Sequence, residues 1–322
     1  MSGYHRLAEY LVAQGVGRVA THQFPRRGTW RLAQPFVRRA GLRWYGPEAF
    51  LTELWAAATT LRGGVVHFLH GENAYRFAAS VPGSRRLVAT FHLPSSVFGD
   101  YVRPMGHLER LDAIVFVAGH QREILNRLAF RPASFVVPHG IDIEFYVPPS
   151  RLSADPTCLF VGQWLRDFAT LEAVVADVRR AIPQVCFRLV LPASLAVCWR
   201  DQPGVDVLTG LDDRALRRCY QEAALLVMPL RDCTANNAVL EAMACGLPIV
   251  TTDVGGIRDY VDEGCARLLP PGKPAAMAEA VLELLGDPKR RAAMSRTGRT
   301  RAESFAWPLV AKQIAAVYEA VR

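Results

Sequence analysis

Short apolar runs alternate along this chain with amphipathic segments of about ten to fifteen residues, a pattern typical of parallel β-sheets whose strands are joined by helices. In the first half, the predicted strands are residues 17–20, 65–69, 87–91, 113–117 and 134–137. In the second half, they are residues 158–161, 186–191, 205–208, 224–228, 248–252 and 266–268. The pattern therefore predicts an α/β fold.

The helical segments are clearest in the second half. Residues 168–182 place Leu171, Val174, Val175 and Val178 at helical spacing, and 213–222 and 275–285 have the same periodicity. Residues 22–50 are rich in Arg, Pro and aromatic residues, and we predict loops there with a broken strand or helix. A Pro-rich polar stretch at 147–156 has the composition of a linker, which predicts two domains, 1–150 and 151–304.

Composition agrees with two ordinary domains. The chain has 322 residues, of which 51% are hydrophobic and 21% charged. No apolar run approaches the roughly 18–20 residues that span a bilayer, and no secretory leader pattern is visible at the start. The seven cysteines form no C-x-x-C pair, so we expect reduced thiols in a cytoplasmic protein, with neither a zinc site nor disulfides.

The charge is unevenly distributed. Residues 1–150 contain 17 Arg, no Lys and 10 acidic residues, a net charge of +7, whereas the remainder has 21 basic and 20 acidic residues, a net charge of +1. A basic first half predicts an anionic partner: a phosphorylated acceptor, or the inner face of a membrane in peripheral contact. We expect no nucleic-acid partner, since no recognition motif accompanies the charge. The alternative is that these arginines only form a solvated surface.

Residues 224–256 carry the strongest functional signal. An apolar run at 224–229 is followed by small polar residues at 232–237, a helical segment at 238–244, a Gly-Leu-Pro break and a second apolar run at 249–254. This order places a loop and a helix N-terminus at the carboxyl edge of a parallel sheet, which suits a phosphate or diphosphate. Glu241 lies one turn inside the helix, where its carboxylate could reach a sugar hydroxyl. The alternative is that Glu241 is a surface residue and that the Asn and Thr before the helix only cap it.

The whole string resembles the nucleotide-sugar site of retaining glycosyltransferases with the GT-B fold, family 4 in particular, in which a glutamate before Ala-Met-Ala-x-Gly-x-Pro binds the donor ribose. Three further segments resemble this family. Residues 136–142 resemble the end of its first domain, residues 158–162 resemble the first strand of its second domain, and residues 305–321 resemble its closing helix. The resemblance implies two Rossmann-like domains facing across a cleft, with the closing helix, 305–322, returning to the first domain.

The resemblance also implies site residues. Glu241 would bind the ribose. Gln163 stands where the family has an Arg, and Arg166 is the nearest candidate for the Lys that the family has a few residues later, so it would stabilise the leaving diphosphate. The alternative for Arg166 is a surface arginine that opens a helix. The family's acidic residue eight positions before its ribose glutamate is Cys233 here, which puts the sugar's identity in doubt. The other residues expected at the nucleotide sugar are Gly3, Gly162, Gly210, Leu211, Thr234, Asn236 and Asn237.

Two histidines follow strands of the first domain. His92, in Thr-Phe-His, resembles the family's Thr-x-His, whose histidine lies near the acceptor and the donor sugar, so we predict a catalytic role for it. His70 is a weaker candidate, as are Glu72 and Asn73 for the acceptor, and we expect His139 to be structural.

The resulting hypothesis is a metal-independent retaining glycosyltransferase that moves a sugar from a UDP or GDP donor to a hydroxyl. The acceptor would be phosphorylated, lipid-linked or a small glycoside. The nucleotide sugar would be a co-substrate, and no other cofactor or metal is expected. The alternative is a non-catalytic nucleotide-sugar-binding subunit that supports a partner enzyme. A sugar-nucleotide epimerase is disfavoured, since the acid and base carboxylates it needs cannot be placed.

The beginning of the chain departs from the family. Residues 1–13 have the pattern of a helix, with Ser2 as a plausible cap and Leu7, Tyr10 and Leu11 on one face. The family has a strand and a Gly-rich loop before this helix, of which only Ser2, Gly3 and Tyr4 have counterparts. Since a missing central strand would expose unpaired backbone, we expect an upstream start that encodes it; the alternative is that this protein has lost its first strand.

Overall fold

The computed structural model describes residues 3–16, 29–153 and 155–322, so Ser2 and the strand predicted at 17–20 lie outside it. The described chain divides into two compact units. The N-terminal unit contains Tyr4–His139 and Trp307–Arg322. The C-terminal unit contains Gly140–Ala306, and Gly3 groups with it.

The N-terminal unit is built on a four-stranded parallel sheet in the order β1-β2-β3-β4. Its strands are β1 Val65–Phe68, β2 Arg86–Phe91, β3 Ala113–Phe116 and β4 Ala133–Val136. Its helices are α1 Arg6–Ala13, α2 Thr29–Ala40, α3 Pro47–Thr59, α4 Gly71–Ala74, α5 Ser95–Tyr101 and, at the end of the chain, α13 Trp307–Val321. Short 3-10 turns occupy Ala78–Ser80, Gly106–Arg110 and Gly119–Arg127.

The core of this unit lies on both faces of β2 and β3, since every residue of β3 is buried. Helix α13 covers the sheet together with α1: Trp307 is fully buried, and the Tyr318 hydroxyl lies 2.7 Å from Nδ1 of His67 on β1. The imidazole of His67 also contacts Thr90 on β2, with Nε2 2.8 Å from Oγ1. The closing helix is therefore joined to β1 by a polar contact, and through His67 to β2.

The C-terminal unit has a six-stranded parallel sheet in the order β10-β9-β8-β5-β6-β7. The strands are β5 Thr157–Val161, β6 Cys186–Val190, β7 Val205–Leu208, β8 Leu225–Met228, β9 Ile249–Thr252 and β10 Ala266–Leu269. The helices are α6 Phe168–Ala181, α7 Ala193–Ala196, α8 Asp213–Glu222, α9 Asn237–Ala244, α10 Ile257–Tyr260, α11 Pro274–Gly286 and α12 Pro288–Glu303. Strands β8 and β9 are buried throughout, and β8 is apolar over its whole length. The two buried threonines that end β9 are hydrogen-bonded: Oγ1 of Thr251 donates to the Met228 carbonyl at 2.7 Å, and Oγ1 of Thr252 accepts from the Leu230 amide at 2.9 Å.

The α/β class is confirmed, and the described strands begin and end within one residue of their predicted positions. Residues 22–50, predicted as loops with a broken strand or helix, are more helical than expected in their described part, where α2 and the start of α3 form. Their packing explains the difference: Ala33 and Ala40 of α2 are buried, and Phe36 stacks on Phe50 of α3 with ring centroids 4.8 Å apart. Helix α1 begins at Arg6, after His5 at its N-cap, so it starts later than the sequence indicated.

The C-terminal unit begins at Gly140, eleven residues before its predicted start at 151. The reason is that Ile141 and Tyr146 are fully buried in the core of the C-terminal unit. The amide of Ile141 also donates to the carbonyl of Phe305 at 2.9 Å, which closes this unit at its other end. Within the described ranges, no helix combines the length and the apolarity that crossing a membrane requires.

Candidate functional site

The loop after β5 is held in an unusual backbone conformation. Gly162 has φ +87° and Leu165 has φ +54°, the latter a left-handed conformation that is costly for a leucine. Neighbouring backbone stabilises it: the amide of Arg231 donates to the Leu165 carbonyl at 2.9 Å, and the amide of Asp167 donates to the Pro229 carbonyl at 3.0 Å. The loop therefore holds Arg166 in a defined place after the carboxyl ends of β5 and β8.

The guanidinium of Arg166 is bound entirely by neutral groups. Nε donates to the Val161 carbonyl at 3.1 Å, Nη1 to the Trp164 carbonyl at 3.0 Å, and Nη2 to Oδ1 of Asn236 at 3.3 Å. No carboxylate of the described residues forms an ion pair with it. Burial lowers the pKa of Arg166 to about 10, so the side chain stays charged at neutral pH. The sequence left open whether Arg166 is a surface residue, and the structure shows a positioned and only partly exposed cation.

Asn236 lies at the N-cap of α9 and is 5% exposed. Its side chain does not cap the helix, because Oδ1 accepts from Arg166 instead. Its Nδ2 group is buried and has no hydrogen-bond partner among the described residues. A fixed cation, a buried N–H donor and the N-terminus of α9 thus come together, an arrangement that suits a diphosphate.

Glu241 is 3% exposed, and its Oε2 accepts a hydrogen bond of 2.7 Å from the hydroxyl of Tyr220 on α8. Burial, followed by the charge of Glu241, raises the pKa of Tyr220 far above its ordinary value. The interpretation of Glu241 as a surface residue is therefore wrong. Sequence reasoning missed Tyr220, since the pattern of α8 shows only that one face is buried.

Cys233, at the position where the family has an acid, is a buried thiol. Its Sγ lies 3.5 Å from the Val254 carbonyl, and burial raises its pKa to about 12. The turn after β9 packs directly on it: a Cβ at Gly255, which has φ +53°, would lie 2.1 Å from the Cys233 carbonyl oxygen. This position therefore supports the loop with a neutral, enclosed side chain.

The remaining predicted residues of the C-terminal unit are dispersed. Thr234 is buried beside Asn236, and Asn237 is the exposed first residue of α9. Gly210 and Leu211 follow β7 at the edge of the sheet, with β6 between β7 and β5. Among the described residues, no hydrogen bond joins these two with Arg166 or Asn236. Gly3 is half-buried at the start of the described chain.

His92 lies in the N-terminal unit, directly after β2. Its Nδ1 lies 3.1 Å from Oε1 of Glu72, which is 4% exposed, and its ring lies 4.7 Å from that of His70 and 4.6 Å from that of Tyr4. Burial lowers the pKa of His70 to about 4. Burial alone would raise the pKa of Glu72, but the charge and hydrogen bond of His92 outweigh it, so this pKa is lowered.

The structure therefore gives Glu72, a weak candidate from sequence, a direct contact with His92. His139, which the sequence indicated as structural, is 4% exposed and packs 5.2 Å from the ring of Trp307.

Two units, each built on a parallel sheet with helices, match the GT-B class of fold, as the solved structures confirm. Sucrose-phosphate synthase from Thermosynechococcus elongatus superimposes with a TM-score of 0.71 at 20% identity, over 98% of this chain and 91% of that one. The pneumococcal O-GlcNAc transferase GtfA in complex with UDP and GlcNAc superimposes with a TM-score of 0.67 at 14% identity, over 86% of this chain and 61% of that one.

Residues 155–287, which lie in the C-terminal unit, match the family model of the glycosyl transferases of group 1. A curated relative is the D-inositol 3-phosphate glycosyltransferase of Kineococcus radiotolerans, 29% identical over 266 residues. The match covers 68% of this chain and 61% of the relative, so the chain spans less than two thirds of that relative's length.

Proposed function

We propose that this chain is a retaining glycosyltransferase of the family 4 type, which moves a sugar from a nucleoside-diphosphate donor to a hydroxyl group. The observation that carries the proposal is the pair formed by Arg166 and Asn236, a cation held by neutral groups beside a buried N–H donor without a partner. The family match supports transfer over the alternative, a non-catalytic binding subunit.

The chemistry follows from the charge that develops on the leaving group. As the bond between the anomeric carbon and the diphosphate breaks, negative charge grows on the phosphate next to the guanidinium, which is already in place and needs no reorganisation. The departing phosphate accepts the proton of the acceptor hydroxyl on the same face, so configuration is retained without a protein nucleophile. Since Arg166 supplies the positive charge, donor activation is proposed to be independent of metal.

Glu241 is proposed to bind the ribose through the carboxylate whose Oε2 is oriented by Tyr220. Contacts with the rest of the nucleotide sugar stay predicted for six further residues: Thr234, Asn237, Gly162, Gly210, Leu211 and Gly3. UDP is the favoured nucleotide, with GDP second, because the structural neighbour GtfA was solved with UDP. His92 is proposed to hydrogen-bond a sugar hydroxyl or the acceptor.

A phosphorylated acceptor is proposed from the net charge of +7 in residues 1–150 and from the relative named for D-inositol 3-phosphate. Helix α2 suggests, in addition, a peripheral contact with the inner face of a membrane. Leu32 is 76% exposed and Phe36 46%, and the exposed arginines Arg31, Arg38 and Arg39 lie on the same helix. Exposed apolar and cationic side chains on one helix are typical of binding to anionic lipid surfaces.

A thermal-shift comparison of UDP, GDP, ADP and dTDP tests the donor site, since a ligand at one hundred times its dissociation constant adds about 2.7 kcal/mol of stability. We expect UDP to raise the melting temperature most. Asn236→Ala should bind UDP about tenfold more weakly, which is the usual effect of losing one hydrogen bond. Asn126→Ala, at an exposed asparagine of the N-terminal unit, is the control.

Release of free UDP or GDP from their sugars then separates the two candidate functions. Slow release with water as acceptor indicates a transferase. Tight binding of the nucleotide sugar without any release indicates the binding subunit, and no shift with any nucleotide would contradict both.

A further inference from the structure

Three polar side chains of the N-terminal unit converge at the carboxyl ends of β1 and β2. His70, Glu72 and His92 each offer one nitrogen or oxygen atom, and these atoms all lie within 4.8 Å of one another. His70 follows β1, Glu72 is in the short helix α4, and His92 follows β2. The described chain thus places two imidazoles and one carboxylate around a common point.

Packing and strand register explain this convergence. Strands β1 and β2 pair in parallel, with Phe68 opposite Ala89, so their carboxyl ends are adjacent. Gly71 packs on the ring of Phe91, where an added Cβ would lie 2.5 Å from the ring. The turn at 70–72 can approach the end of β2 this closely because residue 71 has no side chain, and His92 directly follows Phe91.

Only one of the two carboxylate oxygens of Glu72 has a hydrogen-bond partner among the described residues. One oxygen, Oε1, lies 3.1 Å from Nδ1 of His92. The other, Oε2, is buried and has no hydrogen-bond partner among the described residues, although the side chain is only 4% exposed. A buried carboxylate oxygen that is left without a partner is costly, which indicates a further ligand at this point.

We propose that His70, Glu72 and His92 form a binding site for a divalent transition-metal ion of the zinc class. Two imidazole nitrogens and one carboxylate oxygen are a common donor set for zinc, whereas magnesium and calcium prefer oxygen ligands throughout. Three protein ligands leave a coordination position for water or a hydroxyl group. The sequence did not predict this site, because the ligands lie at 70, 72 and 92 and match no short metal-binding motif.

This site is separate from the donor chemistry proposed for Arg166. His92 belongs to both proposals, so an ion bound here competes with its proposed contact to a sugar or acceptor hydroxyl, and added Zn²⁺ should inhibit transfer. The primary measurement is metal binding, which does not depend on whether the chain transfers sugars.

Isothermal titration of the chelator-treated full chain with Zn²⁺ tests the proposal. We expect one equivalent to bind, with affinity reduced at least about 100-fold in Glu72→Gln and in His70→Asn, since loss of even an outer partner of a metal ligand costs 10–100-fold. Glu72→Asp should keep part of the affinity. His120→Gln, at a histidine outside the cluster, and Cys198→Ser, at the exposed thiol, are the controls and should bind as the parent chain does.

Titration with Co²⁺ identifies the ligands. A site of nitrogen and oxygen donors gives visible d–d bands without the near-ultraviolet charge-transfer band of cobalt–thiolate bonds. Absence of Zn²⁺ binding, unchanged affinity in both His70→Asn and Glu72→Gln, or a strong thiolate band would each overturn the proposal. If Glu72→Gln fails to fold, His70→Asn alone decides the outcome.

Discussion

The two units differ in the side chains that supply their reactive groups. All eight histidines lie within residues 1–139, and all seven cysteines lie between 158 and 265. In the C-terminal unit, one guanidinium is held by carbonyls and an amide, so its charge is constant near neutral pH. In the N-terminal unit, two imidazoles lie beside one buried carboxylate, and burial lowers the pKa of one of them, His70, to about 4. The comparison teaches that two units of the same α/β class can position different chemistry at their sheet edges: one a cation held by neutral groups, the other a cluster of imidazoles and a carboxylate.

The largest expected effect is acid unfolding of the N-terminal unit. Burial lowers the pKa of His67 to about 3 and that of His107 to about 4, from an ordinary value of 6.5. Both are neutral in the folded chain, whereas in the unfolded chain they bind protons below pH 6.5. Their contribution to stability is therefore complete above about pH 6.5 and is lost as the pH falls toward 4.

Hydrogen exchange by mass spectrometry between pH 7 and pH 4.5, corrected for intrinsic rates, measures this effect. Peptides from β1 to β3 should lose protection before peptides from β5, β8 and β9, which lie in a unit without histidine. Earlier loss in the C-terminal unit would contradict the comparison.

Arg166→Ala should lower kcat by about 100- to 1000-fold, the usual loss when a preorganised group that stabilises developing charge is removed. Donor affinity should change less, because the charge on the phosphate grows toward the transition state. Arg166→Lys should recover part of the rate as a point charge without the planar fork. Arg180→Ala, at an exposed arginine of α6, is the control. Steady-state kinetics measure these effects. If Arg166→Ala and Arg166→Lys both react at the parental rate, another residue must supply the positive charge that stabilises the leaving diphosphate.

Glu241→Ala should have two separable effects. Loss of the proposed ribose contact should weaken nucleotide binding by roughly 1.5–3 kcal/mol, and loss of the partner of the Tyr220 hydroxyl should lower the free energy of unfolding by about 1–3 kcal/mol. Calorimetry with UDP and urea denaturation measure them independently. Glu172→Ala, at an exposed glutamate of α6, should change neither. A variant that is less stable but binds UDP normally would make Glu241 a structural residue only.

Gly71→Ala should destabilise the N-terminal unit by about 1–3 kcal/mol, since the added methyl group would overlap the buried ring of Phe91. Gly106→Ala is the matched control, because a Cβ there would meet no atom within 4 Å. Urea denaturation of both variants checks the difference. Equal stability would mean that the turn at 70–72 can move without cost, which would weaken the account of how His70 and Glu72 reach His92.

The sequence by itself determined the class of fold and most of the strands. Apolar residues predominate in most strands, such as Ala113–Phe116 and Leu225–Met228, and this local pattern reflects burial. Residues 29–50 did not follow such a rule, since α2 and α3 depend on the stacking of Phe36 on Phe50. The motif at 224–256 likewise placed Asn236 and Glu241 at a helix that follows a sheet edge, because strand, loop and helix are consecutive there.

Only the tertiary structure decided which side chains meet. Arg166 and Asn236 are 70 residues apart in the chain, Glu241 and Tyr220 are 21 apart, and His92 and Glu72 are 20 apart. The first and third pairs are brought together by the parallel sheets, which collect the carboxyl ends of their strands at one edge whatever the separation in sequence. Glu241 and Tyr220 meet because helix α8 packs against α9. Burial was decided in the same way: the pattern of α9 could not show that Glu241 is enclosed, because enclosure depends on α8 packing over it.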